Sequence, residues 1–78
     1  MRVLLFAGLA EALGRRDVSV ADGTLPATVG ELETRLRQEQ PALAGCSFRL
    51  AVNRRYAAAH EVVQPGDEVA LIPPVSGG

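Results

Sequence analysis

Residues Thr28–Pro41 read TVGELETRLRQEQP, and what this stretch forms decides what the remaining segments can build. Thr28 and Glu31 stand in the Ser/Thr-x-x-Glu spacing of a capping box, in which each side chain meets an otherwise unpaired amide of the first turn. Val29, Leu32 and Leu36 recur at helical spacing, while Glu33, Arg35, Arg37 and Glu39 mostly face water. Pro41 stops the helix, because the residue before a proline is pushed out of the helical region. The spacing predicts one amphipathic helix of about three turns. Its single apolar stripe needs a partner surface, which the flanking segments supply mostly as strands.

RVLLFA (Arg2 to Ala7) is short and apolar on both faces, as a central strand is. LAEALG allows little more than a helical turn, with Gly14 as its stop. DVSVADG places Val18 and Val20 on one face and Ser19 on the other, ending in a turn at Asp22-Gly23. FRLAVN alternates Phe48, Leu50 and Val52 inward, and NRRY reads as a turn. AAAHEVV fits either a helix, from its alanines, or a short edge strand. In QPGDEVALIP, Pro65-Gly66-Asp67 form a turn and Val69 to Ile72 a last buried strand, which Pro73 and Pro74 end because neither can donate to a ladder. With one helix to cover the sheet, the economical packing is α+β: a mixed sheet of four to five strands curled over that helix, its first and last strands parallel at the centre. That is the β-grasp, or ubiquitin-like, arrangement. Residues 1–72 are predicted to be its domain and residues 73–78 an extended tail.

The composition narrows the function. The chain has 78 residues, 47% of them apolar, and eight basic against nine acidic residues. It carries no basic stripe, and its only aromatics are Phe6, Phe48 and Tyr56, so nucleic acid is not the expected partner. Cys46 has no second cysteine to pair with, and with a lone His60 it makes no metal site; a reducing cytoplasmic setting suits it. The apolar opening run is broken at Glu11 and is needed as a strand, which argues against a signal peptide. No segment has the length to span a membrane.

IPPVSGG then raises the functional question. Six residues follow Ile72, and extended they reach roughly 20 Å from the sheet. Pro73 and Pro74 fix the direction of the first part, and Gly77 and Gly78 make a tip without Cβ atoms, thin enough for a tunnel. Such an arm delivers the α-carboxylate of Gly78 into another protein's active site. A carboxylate is inert at neutral pH, so it would first become an acyl adenylate, and attack by sulfur would leave a thiocarboxylate, a good sulfur nucleophile.

VNRRYA, the opening VLLFAGLAEALG, and above all GDEVALIPPVSGG make the chain similar to the small subunit of molybdopterin synthase, a family of ubiquitin-like sulfur carriers. Pro73-Pro74-Val75 favours this family over the thiamine sulfur carrier, which shares the fold and the terminal glycines. The resemblance implies that Gly78 is adenylated by an E1-like adenylating enzyme, which holds the ATP and zinc, and is thiolated by a sulfurtransferase. It implies insertion of the tail, including Ser76 and Gly77, into the large subunit of a heterotetramer. It implies donation of the sulfur there to cyclic pyranopterin monophosphate. It also implies a docking patch built from Phe6, Tyr56 and Ile72, with Val75 against the channel. Ala10 stands where many relatives carry a basic residue; if that residue contacts the activating enzyme, recognition here must lean on other positions.

The residues agree with a chain that presents a substrate and binds no cofactor of its own: there is no lysine, one histidine, one cysteine, and no acid/base constellation at useful spacing. Other readings of single residues stand beside these. Phe6 and Ile72 suit the core as well as a patch, Tyr56 suits a surface turn, and Arg54 and Arg55 suit simple solvation as well as steering of an acidic partner. Asp67 is explained by its turn, and Cys46 by an inert loop thiol. Three functions remain open: the molybdopterin carrier; a carrier of sulfur to thiamine, a thiolated RNA base, cysteine or the tungsten cofactor; and a β-grasp binding module or protein tag.

Overall fold

A computed structural model describes residues 1–73. The elements are β1 (Arg2–Leu5), α1 (Gly8–Leu13), β2 (Asp17–Ser19), β3 (Ala27–Thr28), α2 (Val29–Glu39), β4 (Arg49–Val52), β5 (Arg55–Tyr56), β6 (Val62–Val63) and β7 (Val69–Ile72). Five of them form a mixed sheet in the order β2-β1-β7-β4-β5, and β3 pairs with β6 in a second, two-stranded sheet. β1 and β7 run parallel, Val3 opposite Val69 and Leu5 opposite Leu71, while the other pairs of the main sheet are antiparallel. The mixed β-grasp sheet expected from the sequence is present, with the last strand at its centre and the first beside it.

Alternation along the strands sends Val3, Leu5, Leu50, Val52, Val69 and Leu71 to one face, where Val29, Leu32 and Leu36 of α2 complete the core with Leu9 and Leu43. Burying each such side chain contributes about 1.5–3 kcal/mol. The capping box of α2 is formed: the Glu31 amide donates to Thr28 Oγ1 (3.1 Å), and the Thr28 amide donates to Glu31 Oε1 (2.9 Å). α1 ends at Gly14, whose φ of 69° is the left-handed cap that glycine adopts without strain.

Three local expectations change. Arg37 does not face water: its Nη1 donates to the carbonyls of Leu43 (2.7 Å) and Cys46 (2.8 Å), Nη2 donates to Glu33, and the guanidinium lies 4.3 Å over the Phe48 ring. The loop after α2 leaves carbonyls needing donors, and a long guanidinium reaches them while its stem covers apolar surface. The AAAHEVV segment, open between helix and short edge strand, forms a strand only at Val62–Val63 and no helix in its alanines. The α2 amides of Val29 and Gly30 take the carbonyls of Glu61 (2.8 Å) and Ala59 (3.0 Å), so the 59–61 backbone spends its acceptors on the helix start. β6 follows there, paired with β3, a strand too short to carry a periodicity. Finally, NRRY is only half a turn: Asn53 and Arg54, both at positive φ (52° and 70°), join β4 to β5, as a two-residue hairpin turn requires.

Leu71→Ala, at a fully buried central position, is expected to cost roughly 2–5 kcal/mol, read as a lower urea midpoint at unchanged slope. Acid should also weaken the fold. Glu31 is held below its ordinary value of 4.5 by the Thr28 amide and then its hydroxyl. The Ala58 amide lowers Glu61, with Arg55 assisting, and the Gln64 amide, then the Asn53 side chain, lower Asp67 from 3.8. Depressed carboxylates stabilise fully above their ordinary values and lose that contribution as pH falls through the lower folded values. The thermal midpoint should therefore hold down to about pH 5 and fall below it. A Glu31→Gln/Glu61→Gln/Asp67→Asn variant should melt lower at neutral pH and show a shallower acid decline.

Candidate functional site

Residues opposite one another in a sheet share a face. Tyr56 stands opposite Ala51, Ala51 opposite Ala70, and Ala70 opposite Leu4, so one row crosses four strands on the face turned away from α2. One step further along β7, Arg49 stands opposite Ile72, and Phe6, directly after the Leu5–Leu71 pair, continues that second row. The two alanines are small and covered, 5% and 7% exposed, whereas Phe6 and Tyr56 are 48% and 46% exposed. A low floor between high rims makes a groove. Phe6, Ala51, Arg54, Glu68, Ala70 and Ile72 enclose a hollow of about 240 Å³, and Ala51, Arg54 and Ile72 share a second of about 430 Å³ with Arg55 and Tyr56. Phe6 turns outward because β1 alternates and because Ala7, at φ 49°, bends the chain into α1.

One end of this face is fixed by polar contacts between two turns. The Asn53 amide donates to the Glu68 carbonyl (2.8 Å), Asn53 Oδ1 accepts from the Glu68 amide (3.0 Å), and Asn53 Nδ2 donates to Asp67 Oδ1 (3.2 Å). Asp67 Oδ2 accepts from the Gln64 amide (2.8 Å), closing the turn in which Gly66 sits at φ 92°. Arg54 pairs with Glu68 at 3.6 Å and Arg55 with Glu61 at 3.3 Å, both mostly in water. Such pairs orient side chains and add little stability. At the opposite end, β7 runs out at Ile72 and the half-buried Pro73.

Of the residues singled out in the sequence, Phe6, Tyr56 and Ile72 come together on this face, and none of the three is core. Tyr56 belongs to β5 and not to a turn, because Asn53-Arg54 alone reverses the chain. Pro73 is the last described residue; Pro74, Val75, Ser76, Gly77 and Gly78 lie outside the described residues. Cys46 is half-buried against the core, its Sγ donating to the Ala42 carbonyl (3.3 Å), and His60 is exposed in the turn before β6. Among the described residues no His, Cys, Asp and Glu side chains group as metal ligands, and no helix is long and apolar enough to cross a membrane. Sequence reasoning missed Ala51, Ala70 and Arg49. The signal was available: in RLAV and VALI the outward positions of two strands hold alanine, a floor waiting for larger neighbours.

Comparison with known proteins adds to this geometry. A family model described as the ThiS family matches residues 3–78. The molybdopterin synthase sulfur carrier subunit of Mycobacterium tuberculosis is 40% identical over 83 residues, covering 100% of this chain and 96% of that one. Small archaeal modifier protein 1 of Haloferax volcanii is 42% identical over 85 residues, covering 95% of each. A crystal structure of that H. volcanii modifier superposes with a TM-score of 0.74 at 37% identity, covering 99% of this chain and 97% of its own.

Tyr56→Ala removes a half-exposed ring and opens no cavity, so its stability cost is expected to stay within about 1 kcal/mol. A calorimetric scan checks this; a midpoint loss comparable to that of Leu71→Ala would place the ring in the core.

Proposed function

This chain belongs to the ThiS family, and we propose that within it the chain works as a sulfur carrier, the small subunit of molybdopterin synthase, with the α-carboxyl of Gly78 as the reacting group. The reading is carried by the 40% identity, over the whole chain, to a protein named for that role. The PPVSGG ending and the groove beside Ile72 support it. In this reading the E1-like enzyme transfers AMP from ATP to the Gly78 carboxylate, with pyrophosphate leaving. A persulfide sulfur on a sulfurtransferase then displaces AMP to give an acyl disulfide, and a thiol reductant cleaves its S–S bond, leaving the thiocarboxylate. The large subunit receives the tail, the thiocarboxylate sulfur forms a C–S bond to the side chain of cyclic pyranopterin monophosphate in place of a C–O bond, and water cleaves the resulting thioester, leaving sulfur on the pterin and the carboxylate on Gly78.

This chain's own part is mechanical. The sheet holds the start of the tail at Ile72 and Pro73, and the Phe6–Ile72–Tyr56 groove docks the partner so that the arm enters in register. Fixing the geometry in advance lowers the entropy lost on docking. The reaction itself is driven by groups on the partner enzymes.

The H. volcanii relative favours a second reading, since it is named a modifier protein and is 42% identical: Gly78 would then form an amide with an amine on another protein.

Incubation with ATP, the adenylating enzyme and a sulfur donor should raise the intact mass by about 16 Da, one oxygen exchanged for sulfur. No gain would remove the carrier reading, and heavier conjugates on other proteins would favour the modifier. Deleting Gly78 should abolish sulfur transfer with the thermal midpoint nearly unchanged; a truncated chain that still supported cofactor synthesis would overturn the role of its carboxyl. Tyr56→Ala should weaken binding to the large subunit, measured by calorimetric titration, and normal affinity would make the ring incidental.

A further inference from the structure

The charges around the open face are unevenly satisfied. Arg54 and Arg55 are each matched by a carboxylate, Glu68 and Glu61. Arg49 is not: its guanidinium lies 4.4 Å over the Tyr56 ring, is exposed, and among the described residues meets no carboxylate and no hydrogen-bond acceptor. The cross-strand pair Arg49–Ile72 places this cation at the point where the chain leaves the sheet. Stacking on Tyr56 holds the planar fork in place and leaves its N–H edge available.

We infer that Arg49 is a specificity-determining residue of the docking face: it receives an Asp or Glu carboxylate of the partner protein at the lip of the cleft that admits the tail. The inference rests on the docking reading above and names the partner chemistry that reading leaves open. A polyanion such as nucleic acid needs several unmatched cations in a row; here Arg54 and Arg55 already meet carboxylates, and Arg16, an exposed guanidinium beside Phe6, stands at the β2 edge of the sheet, three strands from Arg49 on β4. Arg49, isolated at its end of the apolar groove, fits a single carboxylate at the rim of a protein interface, where charged groups set register and association rate more than bulk affinity. Tyr56 then has two uses: its ring forms one wall of the groove, and its face restrains the guanidinium, so less freedom is lost when the charge pair forms.

The test is binding of the full chain to the large subunit of molybdopterin synthase from the same organism, followed by stopped-flow and calorimetry at low and high salt. Arg49→Gln should weaken binding on the order of tenfold, mostly through slower association, and should flatten the salt dependence. Arg49→Lys keeps the charge but loses the fork, and should fall between. Arg35→Gln removes the same charge from α2, away from the groove, and should bind as the unaltered chain does. Equal behaviour of Arg49→Gln and Arg35→Gln, with the unaltered chain binding, would overturn the assignment of Arg49 and leave docking on this face standing. Failure of the unaltered chain to bind would overturn the docking reading and the role of Arg49 with it.

Discussion

The parallel pairing of the first and last strands is the constraint from which the rest of the molecule follows. Leu5 against Leu71 and Val3 against Val69 bring the two ends of the chain together beneath α2. A parallel pair cannot be closed by a hairpin, so everything between β1 and β7 has to serve as the crossover, including the helix that covers them. The same pairing puts Phe6 beside Ile72, where the chain leaves the sheet. Packing on the inner face and the groove on the outer face are thus two consequences of one register, since a one-residue slip would exchange the faces.

The segments between are held by backbone groups finding partners as much as by apolar contact. The start of α2 draws on Thr28, Glu31 and the carbonyls of Ala59 and Glu61, and its far end is tied to the following loop by Arg37. Each of these satisfies a donor or acceptor that helix geometry leaves open. The turn at Asn53 and the turn at Gly66 do the same for each other, which keeps one end of the open face rigid while the other end carries the tail.

A division of labour results. Apolar packing is concentrated between the sheet and α2, and the outer face is left with a low alanine floor, exposed aromatic rims and the Arg49 guanidinium stacked on Tyr56, which among the described residues meets no carboxylate. A face of that kind stays soluble because it is small and bordered by charge, and it is suited to contact with another protein for the same reasons. In the proposed role the folded domain determines where the reactive carboxyl is presented, and the reaction chemistry belongs to the partners.

While Phe6 and Ile72 stayed open between core and surface until the strands were paired, the sequence by itself determined the single capped helix, the four longer strands and the central place of the first and last of them. These are periodic or punctuated features, and periodicity and punctuation are local. Tertiary structure alone decided the pairing of Ala27–Thr28 with Val62–Val63, the fate of the alanine run, the capture of Arg37 by the loop, and the stacking of Arg49 on Tyr56. Each depends on which groups a distant segment leaves unsatisfied, and that is settled only when the segments meet. Two-residue strands carry no pattern of their own, and a guanidinium takes whatever acceptor or ring the fold brings within its reach.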